Sequence, residues 1–124
     1  MRVTVTTPKP VYHVGDQPVL TLHIANAGRV ACLRDVSHQL RSIEILPVHS
    51  HTPLWASDYC YQASSDEVRL LQPGQSLAFT VQWAGRTAAP VCPVDRTTVP
   101  VGTYDAVGVL GRLKGPRTPI VIVS

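Results

Sequence analysis

Charge is scarce in this 124-residue chain: Asp, Glu, Lys and Arg make up 15% of it, against about a quarter in ordinary globular domains. The excess of base over acid is only +3, and it is not gathered into a basic run, so the electrostatic footprint of a nucleic-acid binder is missing. No apolar run approaches the roughly 20 residues of a membrane-spanning helix, and the opening MRVTVTTPKP lacks the apolar centre of a signal peptide. Direct membrane insertion of this segment is therefore not expected. Helical periodicity is absent as well: no segment of ten or more residues holds a 3.6-residue apolar period without a Pro or Gly break. Cysteine is limited to three residues, an odd number that leaves one unpaired in any intramolecular scheme.

What the chain has is proline, eleven residues of it, spaced between short segments that alternate apolar and polar residues. Val3 and Val5 alternate with Arg2, Thr4 and Thr6 and read as a half-buried strand ended by Pro8 and Pro10. After a Gly15-Asp16 turn, Val19, Leu22 and Ile24 belong to a second strand, though Val19 and Leu22 cannot share a face of a regular one. Leu40, Ile43 and Ile45 mark a third. VRLL, a Pro73-Gly74 turn and the alternating Leu77, Phe79, Val81 and Trp83 supply two more, and VGTYDAVGVLG and RTPIVIV complete the set. The pattern predicts one domain over residues 1–124, all-β, with about seven to nine strands in a two-sheet antiparallel sandwich.

Three motifs carry a resemblance. YxVGDxPxLxLxIxNxG runs from Tyr12 to Gly28, LxPGxSxxFxVxW is filled by Leu71, Pro73, Gly74, Ser76, Phe79, Val81 and Trp83, and VPxGTY by Val99, Pro100, Gly102, Thr103 and Tyr104. Together they resemble bacterial immunoglobulin-like domains, both the BsuPI-like intracellular proteinase inhibitor group and the C-terminal domains of actinobacterial envelope proteins. A second, local likeness favours the envelope group: Cys32-Leu33-Arg34-Asp35-Val36, Leu54 to Cys60, and Gly85 to Cys92 are similar to its CxRDV, LWxSxDC and GxTxxPxC pieces. The resemblance implies an immunoglobulin-like sandwich cut from a larger, anchored parent, and Met1 directly before the first strand suits such an excised start. It also implies an extracytoplasmic position on the cell envelope.

Within that reading Cys60 and Cys92 lie in turn-rich connections at the two ends of the strands over 68–83. A bridge between them would close a loop of about 33 residues, stabilise by roughly 4 kcal/mol and fit export. Cys32 joined to one of them is the alternative; otherwise Cys32, between Val30-Ala31 and Leu33, reads as a small buried hydrophobe.

The stretch HSHTPLWASDYCY over 49–61 concentrates chemically capable side chains. His49 and His51 could offer ligands to zinc or copper with Cys60, but no fourth ligand is indicated. Ser57, His38 and Asp35 can be written as a triad, yet no nucleophile elbow accompanies them. Asp66-Glu67 is a neighbouring pair in a turn rather than an opposed catalytic one. Arg34-Asp35 with Asp58 could brace two loops. Trp83 belongs to the core alternation, whereas Trp55 could be a packed lid or an exposed contact.

The expectation is a non-catalytic recognition or spacer module with no cofactor, monomeric, whose partner is an envelope protein or glycan. Trp55, Tyr59, Tyr61 and Arg86 are the candidate binding surface, being residue types enriched at interaction hot spots. The alternatives are a BsuPI-like proteinase inhibitor acting through the Pro-stiffened segment 84–99, and a metal-binding module using His49 and His51.

Overall fold

A computed structural model describes residues 1–37, 40–57, 67–83, 85 and 98–124. Every regular element among them is a strand: β1 (Arg2–Thr6), β2 (Val11–His13), β3 (Val19–Ala25), β4 (Cys32–Asp35), β5 (Arg41–Pro47), β6 (Trp55–Ala56), β7 (Val68–Leu71), β8 (Ser76–Gln82), β9 (Gly102–Leu110), β10 (Leu113–Lys114) and β11 (Thr118–Val123). All seven strands read from the alternation are present. The additional ones, β2, β4, β6 and β10, span two to four residues, too short for a periodic signal. They raise the number of strands in the described residues above the expected seven to nine.

The strands form a three-stranded sheet in the order β1-β3-β8, a six-stranded sheet in the order β2-β11-β9-β5-β6 with β10 also on β9, and a two-stranded sheet of β4 with β7. Pairing is antiparallel throughout except between β2 and β11, which run parallel with Val121 opposite Val11. Pro8 and Pro10 explain that exception. They end β1 on the first sheet and let the chain cross to the second, where the Pro10 carbonyl accepts from Val121 N–H at 2.9 Å.

The core lies between the three-stranded and six-stranded sheets. Val3, Val5, Leu20, Leu22 and Ile24 from the first meet Ile43, Ile45, Tyr104, Ala106, Leu110, Ile120 and Ile122 from the second. The phase of β3 is set by Leu20, fully buried, while Val19 is 41% exposed; the three buried residues then share one face as a period of two requires. Trp83 is fully buried just beyond β8, as the alternation predicts, and its N–H donates to the Pro18 carbonyl at 2.9 Å.

Two glycines permit the close approach of layers. A Cβ at Gly108 would lie 2.7 Å from methyl groups of both Leu22 and Val3, and one at Gly115 would lie within bonding range of the Val3 carbonyl oxygen. The first obstacle is side chain that can give way; the second is backbone that cannot. Gly115→Ala therefore forces β1 and the β10–β11 connection apart. Its unfolding free energy, measured by urea denaturation, is expected to fall by about 1–3 kcal/mol, whereas Gly74→Ser, in a turn with open space around it but φ near 82°, loses only about 1–2 kcal/mol from the left-handed backbone.

Candidate functional site

The outer face of the six-stranded sheet carries a cluster of charged side chains over apolar ones. Alternation along β5 and β9 sends Ile43, Ile45, Tyr104 and Ala106 inward, so Glu44, Leu46, Asp105 and Val107 point away from the core. In register, Glu44 lies opposite Val107 and Leu46 opposite Asp105. Leu46, Val107 and Asp105 nevertheless stay 4%, 6% and 9% exposed. Neighbouring side chains cover them.

Those neighbours are charged. Lys114 Nζ lies 3.4 Å from Glu44 Oε1, and Arg117 Nη1 donates to Asp105 Oδ2 at 3.0 Å. The second Arg117 amino group donates to the Ser50 carbonyl, which ties the sheet to the loop over 48–54. That loop opens with a turn in which Ser50 N–H donates to the Pro47 carbonyl at 3.0 Å. His49 takes the left-handed position at φ 65°, a conformation that non-glycine residues adopt at a cost of about 1 kcal/mol. Ser50 Oγ then accepts from Thr52 N–H at 3.1 Å.

Two shallow depressions result. One of about 180 Å³ is lined by Glu44, Leu46, His51, Val107, Lys114 and Arg117 together with Gly115; the other, of about 390 Å³, by Val48, His49, His51, Asp105 and Arg117. They share His51 and Arg117 and form one cleft with an apolar floor and rims of both signs. Carboxylates that accept and cations that donate can between them hold a ligand bearing several hydroxyl or amide groups. No group of three or more metal-ligating side chains occurs among the described residues, although His49 and His51 do border the same depression.

The sequence-derived site is placed as follows. Trp55 is half-buried: it lies on β6 opposite Ile45 and its ring sits 5.9 Å from that of Trp83, tilted by 38°. It packs against the core and keeps part of its surface exposed. Tyr59, Tyr61 and Arg86 lie outside the described residues, as do Cys60 and Cys92, His38, Asp58 and Asp66. Cys32 corrects the expectation of a buried thiol. It is exposed, because β4 starts at the rim beside Val30, itself 74% exposed; only its strand partner Leu71 reaches the interior.

Of the possible triad, His38 lies outside the described residues, and Ser57 and Asp35 both accept from backbone N–H groups. Ser57 Oγ accepts from Ile43 N–H at 2.9 Å and extends the β5–β6 pairing, while Asp35 Oδ1 accepts from the N–H groups of Ser37 and Glu67 at 3.0 and 3.2 Å. Arg34 donates to the Leu110 carbonyl at 3.4 Å rather than to its neighbour in sequence. Glu67 pairs with Arg69 at 3.1 Å and lies 3.8 Å from Arg41.

Sequence reasoning missed the cleft. Asp105 and Arg117 are brought together by the β9–β11 pairing, and Lys114 reaches Glu44 across β9. The one available signal was an aspartate within the otherwise apolar run TYDAVGVL.

Because Arg117 serves Asp105 and Ser50 together, Arg117→Ala is expected to lower the unfolding free energy by about 1–3 kcal/mol through the stranded carboxylate. Lys114→Ala, at a solvent-exposed pair, should cost about 0–1 kcal/mol. A double-mutant cycle of Arg117→Ala with Asp105→Asn, followed by chemical denaturation, isolates the pair.

No protein-family description and no curated protein sequence matches the chain. Solved structures do share its fold. A β-glucosidase from Listeria innocua in complex with isofagomine aligns at 10% identity and TM-score 0.54, covering 99% of this chain and 16% of that one. A β-glucosidase from Erythrobacter marinus aligns at 13% identity and TM-score 0.56, over 97% and 15%. Spo0M, the sporulation control protein from Bacillus subtilis, aligns at 14% identity and TM-score 0.55, over 99% and 49%. The chain thus spans at most about half the length of these proteins.

Proposed function

We propose that this chain is an immunoglobulin-like two-sheet sandwich serving as a non-catalytic recognition module of a larger bacterial envelope protein. Strand connectivity supports the fold assignment. The first strand splits between the sheets, with β1 on β3 and β2 on β11, while β3 pairs β8 and β5 pairs β9. A further support is Tyr104, near the start of β9, whose hydroxyl donates to the Pro100 carbonyl at 2.8 Å. Such a tyrosine corner, closing the connection into the sixth strand, recurs in sandwiches of this kind. Burial lifts the Tyr104 phenol above its ordinary value of 10.0, so the neutral donor form is favoured.

The observation that carries the functional reading is the cleft formed by Glu44, Asp105, Lys114 and Arg117 over Leu46 and Val107. Its polar groups suit a glycan or a polar protein segment. A fold that matches minor portions of longer chains supports a module within a parent, and fold alone assigns no activity. The envelope position rests on the local likeness of the Cys32–Val36 and Leu54–Cys60 segments to actinobacterial envelope domains.

Two measurements test these readings. Titration of the labelled protein against envelope polysaccharide and peptidoglycan fragments is expected to give saturable binding that Lys114→Glu weakens about tenfold and Arg2→Glu leaves unchanged. Absence of binding would leave a spacer role, and nanomolar inhibition in a protease panel would replace the proposal with the inhibitor reading.

The corner itself has a pH signature. A phenol pKa raised by folding contributes stability that is complete below the unfolded value near 10 and is lost as pH rises through the folded value. Denaturation from pH 8 to 11 should therefore record a fall in stability that is shallower in Tyr104→Phe. At neutral pH that variant loses about 1 kcal/mol with the hydrogen bond. An unchanged slope would remove Tyr104 from this role.

A further inference from the structure

The described strand ends are protected against pairing with another chain, with the exception of β8. The open side of β1 is covered where Gly115 packs on the Val3 carbonyl and Thr118 Oγ1 donates to the Val5 carbonyl at 2.9 Å. β2 is three residues long and follows Pro8, Lys9 and Pro10. β6 has two residues, and β4 and β7 have four each and carry Arg34, Asp35 and Arg69. Shortness, proline and charge are the usual guards of a sheet edge. Ser76–Gln82 has none of them: seven residues, SLAFTVQ, without charge, proline or glycine.

The register fixes which backbone groups the edge presents. Asn26 N–H donates to the Gln75 carbonyl and Trp83 N–H to the Pro18 carbonyl, so the odd-numbered residues of β8 bond β3. By the alternation of an antiparallel ladder, the N–H and C=O groups of Ser76, Ala78, Thr80 and Gln82 point away from it. Among the described residues no strand pairs with them.

We propose that β8 is a dimerisation edge, pairing antiparallel with the β8 of a second copy about a two-fold axis at Phe79. The sequence is self-complementary about that residue: Ala78 would face Thr80, Leu77 would face Val81 and Ser76 would face Gln82, so apolar side chains meet apolar ones and the polar or small ones meet each other. A two-fold axis sets each residue near its own copy, and a charge on the strand would there face its like; β8 has none. Arg41 stacks over Phe79 with its guanidinium 3.8 Å from the ring centre and lies 3.8 Å from the Glu67 carboxylate, which faces its charge.

Packing leaves the inward row of β8 open to extension by an added strand. Leu77, Phe79 and Val81 face the core yet stay half-buried, whereas their β3 partners Ile24, Leu22 and Leu20 are 0–2% exposed. Joined through β8, the two three-stranded sheets become one continuous sheet, and each copy's inward row extends the other's. The proposed dimer differs from the monomer expected from sequence alone.

Sedimentation velocity of the 124-residue chain under reducing conditions, which keep Cys32 from linking copies, tests the proposal. A concentration-dependent dimer is expected. Thr80→Lys, which sets like charges across the joint, and Thr80→Pro, which removes an edge donor without touching the β3 ladder, should each raise its Kd about tenfold or more. Thr21→Lys, on the same face of β3 but away from the edge, should leave it unchanged. A wild-type protein that stays monomeric at up to about 0.5 mM overturns the proposal; so does a dimer that both Thr80 variants preserve.

Discussion

With no side chain at Gly108, β9 comes close enough to the facing sheet for Leu22, Val3 and Val5 to fill the space that a Cβ would take. The rest of the architecture depends on this contact. β9 pairs β5 on one side and β11 on the other, and turns back on itself to pair β10, so its height above β1 and β3 fixes that of the whole second sheet. Leu22, Val3 and Val5 can shift to admit a Cβ there, but in an interior packed this densely the shift would be felt by both facing sheets. The outward residues of β9 inherit the same rigidity. Asp105 and Val107 are held in place because Tyr104 and Ala106, their neighbours in the chain, are locked into the core.

A period of two was readable wherever a strand had one face in the core and the other in solvent. β1 and β8 obey it, and the inward set Val3 and Val5 could be chosen from sequence; in β11 the run Ile120 to Val123 is apolar throughout, so its inward face shows only in the structure. β5 obeys it less well, because Ser42 and Leu46 are buried on the outer face under the loop over 48–54 and its neighbours. β2, β4, β6 and β10 gave no signal because two to four residues cannot establish a period; β7, just as short, was marked by the Pro73-Gly74 turn that follows it. Trp55 was ambiguous for a related reason: its burial depends on Trp83, 28 positions along the chain, and no local pattern reports a contact of that kind.

The cleft was illegible because it is assembled by register. Glu44 and Lys114 lie 70 positions apart and share no motif; their proximity follows from β5 and β10 flanking the same strand. Charge scarcity makes the cluster more notable, since so few ionisable side chains are available to place. It also leaves less with which to guard strand edges, and the same scarcity of charge underlies the bare edge of β8.

The parallel pairing of β2 with β11 bears on how the molecule responds to force. β2 lies near the beginning of the chain and β11 ends at Val123, one residue before its end. Tension applied through the two termini pulls these strands past one another along their length. Their hydrogen bonds, with those from Val14 N–H to the Val123 carbonyl and from Val121 N–H to the Pro10 carbonyl, are then loaded in shear and share the strain instead of opening one after another. A module strung between other parts of a parent protein would resist stretching through this short clamp, even where its resistance to heat or denaturant is ordinary.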